Sequence, residues 1–353
     1  DTVSFDENAV GRPFKKTLKK RELSLPAVQL AASPSVLTLS RVTLKNGGAK
    51  AEGAGRLHEL SRRRDADFTT PKGAVIPFGV METTLDASAV KKQYARLRQR
   101  VAARKDTDDI PTTVDELAKT IEAVTVPDKI VAMVMKMFAA KDMMMVRSSC
   151  NCEDLENISG AGLYDSVANV ARAHVGEAVR HVWASLWTQR AAASRQQTGI
   201  RDDQAYMAVL IQQMIVPEYS FIMHTVNPIN QKDDEIYIEL AVGQGETLAG
   251  GSTPGSPYRM MCDKKTGAPS MASFADFSHA LWPTAKGGMI AKRVDYATIP
   301  MSTNAKMRNR LGRRLAAVGR LVEETFGGPQ DIEGAIIGDE IWLVQARPQG
   351  MNI

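Results

Sequence analysis

The periodicity of apolar residues divides the chain into a helix-rich front half and a sheet-rich back half. Apolar side chains recur at spacings of three and four over 81–104 and 113–140, which predicts helices there, and 167–195 is predicted to be one long helix. The continuous apolar run at 143–146 predicts a buried strand that leads directly into Arg147.

The start of the chain is less regular. Regular structure is expected to begin near 44–50, where the doubled glycine at 47–48 suggests a strand, a tight turn and then a helix that includes 56–60. Residues 36–42 are a further candidate strand, and the first 45 residues otherwise lack periodicity. We therefore interpret 1–45 as a linker from a missing upstream region.

Short apolar runs of strand length follow residue 200, with a glycine-rich loop at 243–255 and a helix predicted over 305–326. These elements predict an α+β fold with a helix-rich subdomain at 46–200 and a sheet-rich subdomain at 201–353. A functional site is expected at their junction. The predicted strands of the back half are 208–211, 221–223, 236–240, 258–261, 332–337 and 341–345.

The composition is that of an ordinary globular protein, with 353 residues, 44% hydrophobic and 24% charged. The basic clusters at 15–21, 62–64 and 91–105 are either solvated faces or a surface for phosphate groups or an acidic domain. A net charge of +5 is weak support for nucleic-acid binding, and no apolar stretch is long enough for a transmembrane helix. Neither a nucleic acid nor a membrane is therefore expected as a partner.

Several familiar sites are absent from the sequence. The five histidines do not cluster at metal-ligand spacing, and no GxxxxGK[ST] or strand-borne GxGxxG motif occurs. Cys150 and Cys152 lack the second pair that a zinc site needs, which favours a structural role. Three cysteines in a chain of this length favour a reducing compartment over a disulfide framework.

Arg147 places a guanidinium at the exit of the 143–146 strand, where its planar fork is suited to phosphate oxygens. The alternative is a surface ion pair with Glu153 or Asp154, which the residues alone favour. The glycines of the 160–166 loop suit close approach of backbone amides to a phosphate, or a simple turn equally well.

Asp331 and Glu333 are two residues apart and therefore share one face of a strand. If that strand pairs with the last one, Gln345 and Arg347 share the same face, and the four side chains suit Mg²⁺ and a triphosphate. A surface ion pair between Arg347 and one of the carboxylates explains the pattern equally well.

Six motifs together resemble the nucleotide-binding domain shared by pyruvate phosphate dikinase, phosphoenolpyruvate synthase and the plant glucan, water dikinases. Within this family, the stretches at 46–50, 74–79, 182–188 and 224–228 look most like the phosphoglucan, water dikinase branch. The resemblance covers roughly residues 44–350. The six motifs are 145–149, 153–155, 160–166, 212–214, 243–248, and 330–333 with 344–348.

The resemblance implies an ATP-grasp-like fold in which two α+β subdomains clamp Mg-ATP. Lys50, Arg147 and Arg347 would be catalytic, binding and steadying the phosphates, and Glu333 and Gln345 would ligate Mg²⁺. The other implied ATP-binding residues are Gly162 and Ser166 in the loop over the phosphates, Gln212 and Met214 near the adenine, and Asp331 beside the metal.

The implied reaction passes the β-phosphate of ATP through a histidine on a separate domain to glucosyl units of a starch-like phosphoglucan, and the γ-phosphate to water. The implied partners are that phosphohistidine domain and a starch-binding domain of the same protein, and the implied compartment is the plastid, with the cytoplasm as the alternative. The resemblance points to the C3 hydroxyl as acceptor.

Two alternatives remain. The same chemistry can serve another acceptor, such as the C6 hydroxyl of an α-glucan, pyruvate or an antibiotic, and the domain can bind nucleotide as a non-catalytic regulator. None of the five histidines has the sequence context of the family's phosphohistidine, which is consistent with that domain lying upstream. Cys150 and Cys152 stand where the family usually has small or aliphatic residues, so their oxidation would block ATP if they lie near the phosphate loop.

Overall fold

The structure, a computed structural model, describes residues 25–103, 111–153, 162–250 and 253–350. More than half of the predicted linker, the basic run at 15–21, Asp154 and the glycine at 160 lie outside the described residues. Helices and antiparallel sheets make up the described part, which confirms the α+β class. Within these ranges, no helix is long and apolar enough to cross a membrane.

The first sheet has five antiparallel strands in the order β1-β2-β5-β3-β4. Side chains such as Val146 and Ile211 point from one face into a core shared with six helices. The strands are β1 Leu37–Thr38, β2 Gly73–Ile76, β3 Met144–Cys150, β4 Ser166–Val170 and β5 Met207–Gln213. The helices are α2 Val80–Asp86, α3 Lys91–Ala103, α4 Pro111–Glu122, α5 Asp128–Met135, α6 Val175–Ala184 and α7 Gln189–Thr198.

Helix α1, Leu44–Leu60, packs on the opposite face of this sheet. Its small residues Ala51 and Ala54 meet Val75 and Leu210, the alternate residues of β2 and β5. Because successive side chains of a strand point to opposite faces, Arg147 and Gln212 share the face that α1 covers in part.

The second sheet has six antiparallel strands in the order β13-β12-β6-β7-β8-β9. Helix α10, Ala305–Phe326, covers one face through an apolar stripe that includes Leu315 and Val322. The strands are β6 Tyr219–His224, β7 Glu235–Val242, β8 Tyr258–Asp263, β9 Pro269–Ser273, β12 Gln330–Ile337 and β13 Glu340–Pro348, and the short helices are α8 Glu246–Ala249 and α9 Pro300–Thr303.

A hairpin connects the two sheets at one side. It consists of β10 His279–Pro283 and β11 Met289–Arg293, and its base packs beside the backbone of Gly243 and Gln244 in the second sheet's loops. Its tip reaches the first sheet, where Asn169 of β4 donates through Nδ2 to the carbonyl oxygens of Thr284 and Gly288, both at 2.7 Å. The Asn169 side chain therefore joins the first sheet to a hairpin that lies more than one hundred residues later in the sequence.

The predicted helix and strands of the back half are present, but β5 pairs with β2 and β3 in the first sheet, so the two sheets do not divide at residue 200 as the sequence predicted. Helix α10 has the predicted bounds, and β5, β6, β7, β8, β12 and β13 contain the six predicted strands. The strands β9, β10 and β11 were not predicted, because almost none of their side chains is fully buried and their apolar runs are no longer than three residues.

Four expectations for the front half were wrong in detail. Residues 44–50 begin helix α1, and Gly48 provides a kink with φ of 82° that lets the helix approach Ser149 closely. The helix predicted over 81–104 is divided into α2 and α3, and that over 113–140 into α4 and α5, which begins after Pro127. The residues predicted as one helix over 167–195 form strand β4 and then the separate helices α6 and α7. Helix α7 has its own start, because the Thr188 side chain caps it by accepting from the amide of Ala191 at 3.2 Å.

Candidate functional site

The β12–β13 hairpin carries four candidate side chains on one face. Asp331 lies directly opposite Arg347, and Glu333 lies directly opposite Gln345. A β-bulge follows Glu333, where the pairing shifts by one residue. The pairing on which the sequence prediction depended is therefore present, and it brings two carboxylates, an amide and a guanidinium together.

Arg347 and Asp331 form a partly buried ion pair. Arg347 Nε and Nη2 donate to Asp331 Oδ2 at 2.9 and 2.7 Å. The predicted ion pair is thus present, but it does not lie on open surface. The side chain of Arg347 is 23% exposed and that of Asp331 is 13% exposed. Asp331 Oδ1 faces His224 Nδ1 of β6 across 4.0 Å.

Arg147 of the first sheet reaches the second sheet. Its Nη2 donates to Gln345 Oε1 at 2.6 Å and to Glu333 Oε2 at 3.3 Å, while Nη1 donates to Gln212 Oε1 at 3.3 Å. Its Nε is buried and has no hydrogen-bond partner in the described part of the chain. The expected pairing of Arg147 with Glu153 is wrong, because β3 directs this side chain toward β12 and β13.

Lys50 is the partner of Glu153 instead. Its Nζ lies 2.8 Å from Glu153 Oε1 and 3.4 Å from Ser148 Oγ, so α1 places an ammonium beside the end of β3. Glu153 is only 4% exposed, and its second oxygen accepts from the backbone amide of Cys150 at 3.1 Å. Glu153 was not predicted as a site residue, because Lys50 and Glu153 are 103 residues apart and no sequence pattern indicates that they meet.

Gln212 belongs to the same cluster, whereas Met214 lies at its edge. Gln212 is buried, accepts from Arg147, and donates through Nε2 to the carbonyl of Val344 at 3.2 Å. Met214 follows β5 on the connection to β6, and its backbone amide donates to Met143 O at 2.8 Å. Gln212 therefore fixes the distance between the two sheets beside Arg147.

The two loop residues differ in position. Ser166 begins β4 directly opposite Arg147 and is exposed toward solvent. Gly162 adopts φ of 70°, and no atom lies within 4 Å of the place where a Cβ would stand. The structure therefore places Ser166 next to the cluster and does not bring Gly162 into contact with it.

The basic and acidic side chains of this cluster match in number. Lys50 pairs with Glu153, Arg147 with Glu333, and Arg347 with Asp331. Each pair is more than two-thirds buried, so each cation already has a counter-charge before any ligand binds. A polyanion that entered here would have to replace these carboxylates, which suits a ligand that brings a cation with it.

Two oxygen donors are available for a divalent cation. Glu333 and Gln345 present a carboxylate and an amide oxygen side by side, the donor type that Mg²⁺ prefers. In the described ranges, no three His, Cys, Asp or Glu side chains are close enough to hold a metal ion by themselves. The residues therefore fit a magnesium ion that takes its remaining ligands from water and nucleotide phosphates.

Cys150 and Cys152 lie close to this cluster but are buried and reduced. The backbone amide of Cys152 donates to Cys150 Sγ at 3.3 Å, and the thiol–thiol hydrogen bond together with burial raises the pKa of Cys152. A raised pKa keeps the Cys152 thiol protonated and poorly nucleophilic, which agrees with the expected structural role.

Comparison with known proteins gives a consistent family. A family model described as "Pyruvate phosphate dikinase, AMP/ATP-binding domain" matches residues 45–352. The chain is 31% identical over 207 residues to the chloroplastic alpha-glucan water dikinase of Solanum tuberosum, covering 49% of this chain and 14% of that protein. It is 32% identical over 292 residues to the rifampicin phosphotransferase of Streptomyces sviceus. This alignment covers 78% of this chain and 32% of that protein.

A third relative is the probable phosphoenolpyruvate synthase of Methanothermobacter thermautotrophicus, 26% identical over 309 residues, which cover 83% of this chain and 43% of that protein. The chain thus spans less than half the length of each of these relatives. The matched region of 45–352 contains every candidate site residue described above.

Proposed function

The chain belongs to the family of pyruvate phosphate dikinase AMP/ATP-binding domains, and from this premise we propose that it is the nucleotide-binding part of a glucan-phosphorylating dikinase. Its relatives are dikinases and phosphotransferases, so the coarse activity is phosphoryl transfer from ATP. The proposed reaction passes the β-phosphate to a histidine on a separate domain and then to a glucan, and the γ-phosphate to water.

The observation that carries this proposal is the set of three ion pairs at the junction of the two sheets. Phosphoryl transfer depends mainly on positioning and on charge neutralisation. Lys50 and Arg147 come from the first sheet's side, and Arg347 comes from the second. Three cations from both sides of one cleft are what a triphosphate held between two sheets requires.

An exchange of partners explains why the carboxylates are also present. Arg147 would turn from Glu333 and Gln345 to phosphate oxygens, and its unsatisfied Nε is a further donor for them. Glu333 and Gln345 would then be free to hold Mg²⁺, which when bound neutralises charge on the phosphates. Lys50 would make the same change from Glu153 to a phosphate, and Arg347 would stay beside Asp331.

Calorimetric titration of the chain with Mg-ATP tests the proposal. Arg147→Ala and Glu333→Ala are each expected to weaken binding by at least about ten-fold, because the first removes a guanidinium that would bind phosphate oxygens and the second removes a carboxylate that would ligate Mg²⁺. Arg310→Ala is the matched control, because Arg310 pairs with Asp339 on the exposed surface. Binding that is absent in the unaltered chain, or unchanged in both site variants, would contradict the site.

The acceptor steps need the complete protein. With the proposed phosphohistidine domain present, ATP labelled at the β-phosphate should transfer its label to protein and then to glucan, and Arg147→Ala and Glu333→Ala should each abolish this transfer without unfolding the domain. Label that reaches protein but never glucan would disprove the glucan acceptor and leave the dikinase chemistry intact.

The proposed acceptor position and compartment follow from the starch-enzyme resemblance. We assign the C3 hydroxyl of phosphoglucan and a plastid, with a starch-binding domain elsewhere in the protein, and the chloroplastic relative from Solanum tuberosum supports the compartment. The longer alignment with rifampicin phosphotransferases favours, as a second candidate, a small-molecule acceptor outside plastids. Product analysis with starch and with rifampicin separates the two.

A further inference from the structure

A groove of about 820 Å³ lies at the far end of the second sheet, away from β12 and β13. It is formed by the segment between β9 and β10 and by the segment that follows β11. Its volume is in the range of ligand-binding clefts. The lining residues used below are Phe274, Asp276, Ser278, Arg293, Asp295 and Tyr296.

Phe274 gives this groove an exposed aromatic side. Its side chain is 49% exposed, and it is the one aromatic residue among the large apolar side chains that are exposed in the described ranges. The ring is held in place, because the Arg308 guanidinium covers one of its faces at 5.1 Å from the centroid and Tyr258 packs edge-on at 6.2 Å, which leaves the other face for a ligand. The ring is therefore a fixed apolar surface that faces solvent, which is costly unless something covers it.

The surrounding backbone is rigid. Asp276 accepts from Ser256 Oγ at 2.9 Å and donates its backbone amide to Ser256 O at 3.1 Å. Tyr296 is buried below the groove and accepts from the amide of Val242 at 3.0 Å. The position of Phe274 is thus set before any ligand arrives, which lowers the entropy cost of binding.

Charged groups on the groove retain unused hydrogen-bonding capacity. Arg293 and the carboxylates of Asp276 and Asp295 form no ion pair within the described residues, and each faces the groove. The two carboxylates balance the guanidinium of Arg293 and that of Arg308 beside Phe274, so the groove has no excess positive charge to attract a nucleotide or another polyanion. A neutral ligand with many hydroxyl groups would find both donors and acceptors here.

We propose that this groove binds a neutral carbohydrate chain of the α-glucan type, with the apolar face of a glucosyl ring stacked on Phe274 and its hydroxyls bonded to Asp276, Asp295 and Arg293. The choice of an α-glucan rests on the proposed function, whereas the choice of a neutral polyhydroxylated ligand rests on the groove alone. The site would place glucan binding on this chain in addition to any separate starch-binding domain.

The hairpin gives the groove a link to the phosphate cluster. Arg293 ends β11 at the base of the hairpin, and the tip of the same hairpin is bonded to Asn169 beside β3. Five residues of strand span roughly 17 Å, so a glucan held in the groove would lie near the nucleotide site without entering it. That separation suits a reaction in which a mobile histidine carries the phosphate.

Affinity electrophoresis of the chain in native gels that contain soluble amylopectin tests the proposal. The unaltered chain should be retarded, Phe274→Ala should lose at least about ten-fold in affinity, and Phe274→Trp should retain it. Ile290→Ala is the matched control, because Ile290 is 47% exposed on β11 but does not line the groove. A chain that is not retarded, or a Phe274→Ala variant that behaves like Ile290→Ala, would overturn the proposal.

Two further measurements separate this outcome from the proposed function. Titration of Phe274→Ala with Mg-ATP should match the unaltered chain, since none of the residues bonded to Arg147 lines the groove. If the unaltered chain is retarded by amylopectin but does not bind Mg-ATP, only the proposed nucleotide site is refuted. If it binds Mg-ATP but is not retarded, only the proposed glucan groove is refuted. Retardation by dextran sulfate but not by amylopectin would show a polyanion surface and would also overturn the proposal.

Discussion

At the scale of single residues, the site depends on charges that are already paired before any ligand binds. Glu153 is almost fully buried, and Lys50 supplies its counter-charge. Removing one member of such a pair leaves an uncompensated charge, which costs far more than the intact pair contributes. Stability and ligand binding therefore rest on the same side chains and have to be separated by experiment.

Lys50→Met is expected to lower the free energy of unfolding by about 3 kcal/mol, because Glu153 loses its partner. The double variant Lys50→Met with Glu153→Gln should recover most of this loss, since the buried charge is gone. Neither variant should bind Mg-ATP with the affinity of the unaltered chain. Chemical denaturation and calorimetry on the three proteins check both parts, and full ATP affinity in the double variant would exclude Lys50 from the site.

A second buried carboxylate has no such partner. Neither carboxylate oxygen of Glu82 has a hydrogen-bond partner within the described residues. Burial raises the pKa of Glu82 above the ordinary value of 4.5. The nearby backbone amides of Glu82 and Gly79, although they form no full hydrogen bond to the carboxylate, and the charge of Arg98 offset part of this rise in pKa. Because the folded state favours the protonated form, the associated stability is fully present below the unfolded-state pKa and is lost as pH rises through the folded-state pKa.

Glu82→Gln is therefore expected to increase the free energy of unfolding by about 1–2 kcal/mol at pH 7.5 and to give no gain at pH 4. Denaturation at the two pH values measures the difference. Glu324→Gln, at an exposed position of α10, serves as the control. An equal effect of Glu82→Gln at both pH values would mean that the pKa of Glu82 is not raised in the folded protein.

At the scale of elements, the hairpin β10–β11 depends on one side chain for its contact with the first sheet. Asn169 is buried, has φ of 56°, and donates to two carbonyl oxygens of the hairpin tip. Asparagine is among the few residues that adopt this left-handed conformation readily. The backbone and side-chain contributions of Asn169 to stability can be separated by a substitution with glycine. Glycine also adopts a positive φ readily, but it removes the side-chain hydrogen bonds.

Asn169→Gly should lower the free energy of unfolding by about 1–2 kcal/mol, since the Thr284 and Gly288 carbonyl oxygens each lose one of two donors and keep only a backbone amide of the tip. Gln231→Gly is the matched control, because Gln231 also has a positive φ, of 60°, but is exposed. Thermal unfolding of both variants checks the prediction. If the two variants lose equally little, the contact between hairpin and β4 adds nothing to stability.

The elements also show where sequence reasoning succeeds and fails. Helix α10 and the β12–β13 hairpin were predictable, because each has one buried face and a regular period. Helix α1 was not, because three of its four glycines, at 47, 48 and 53, allow close approach to Val42, Ser149 and Ala346, which only the tertiary structure reveals. The same applies to the pairing of Lys50 with Glu153, whereas Asp331, Glu333, Gln345 and Arg347 could be grouped from strand alternation alone.

At the scale of the whole molecule, the proposed nucleotide site belongs to neither sheet alone. Lys50 and Arg147 come from the first sheet and its helix α1, and Glu333 and Gln345 come from the second sheet. A ligand that contacts both should stabilise both against local opening, because it binds only the closed arrangement. At one hundred times its dissociation constant, the gain is about 2.7 kcal/mol.

Hydrogen exchange with and without Mg-ATP measures this directly. We expect added protection in β3 and in β12–β13 together, and no change in the groove segment 274–278, which lies at the opposite end of the second sheet. Glu333→Ala should lose the added protection in both regions, because the metal and the phosphates need residues of both sheets. Protection confined to β3 would place the nucleotide on the first sheet alone, and Glu333 and Gln345 would then have no part in holding the metal.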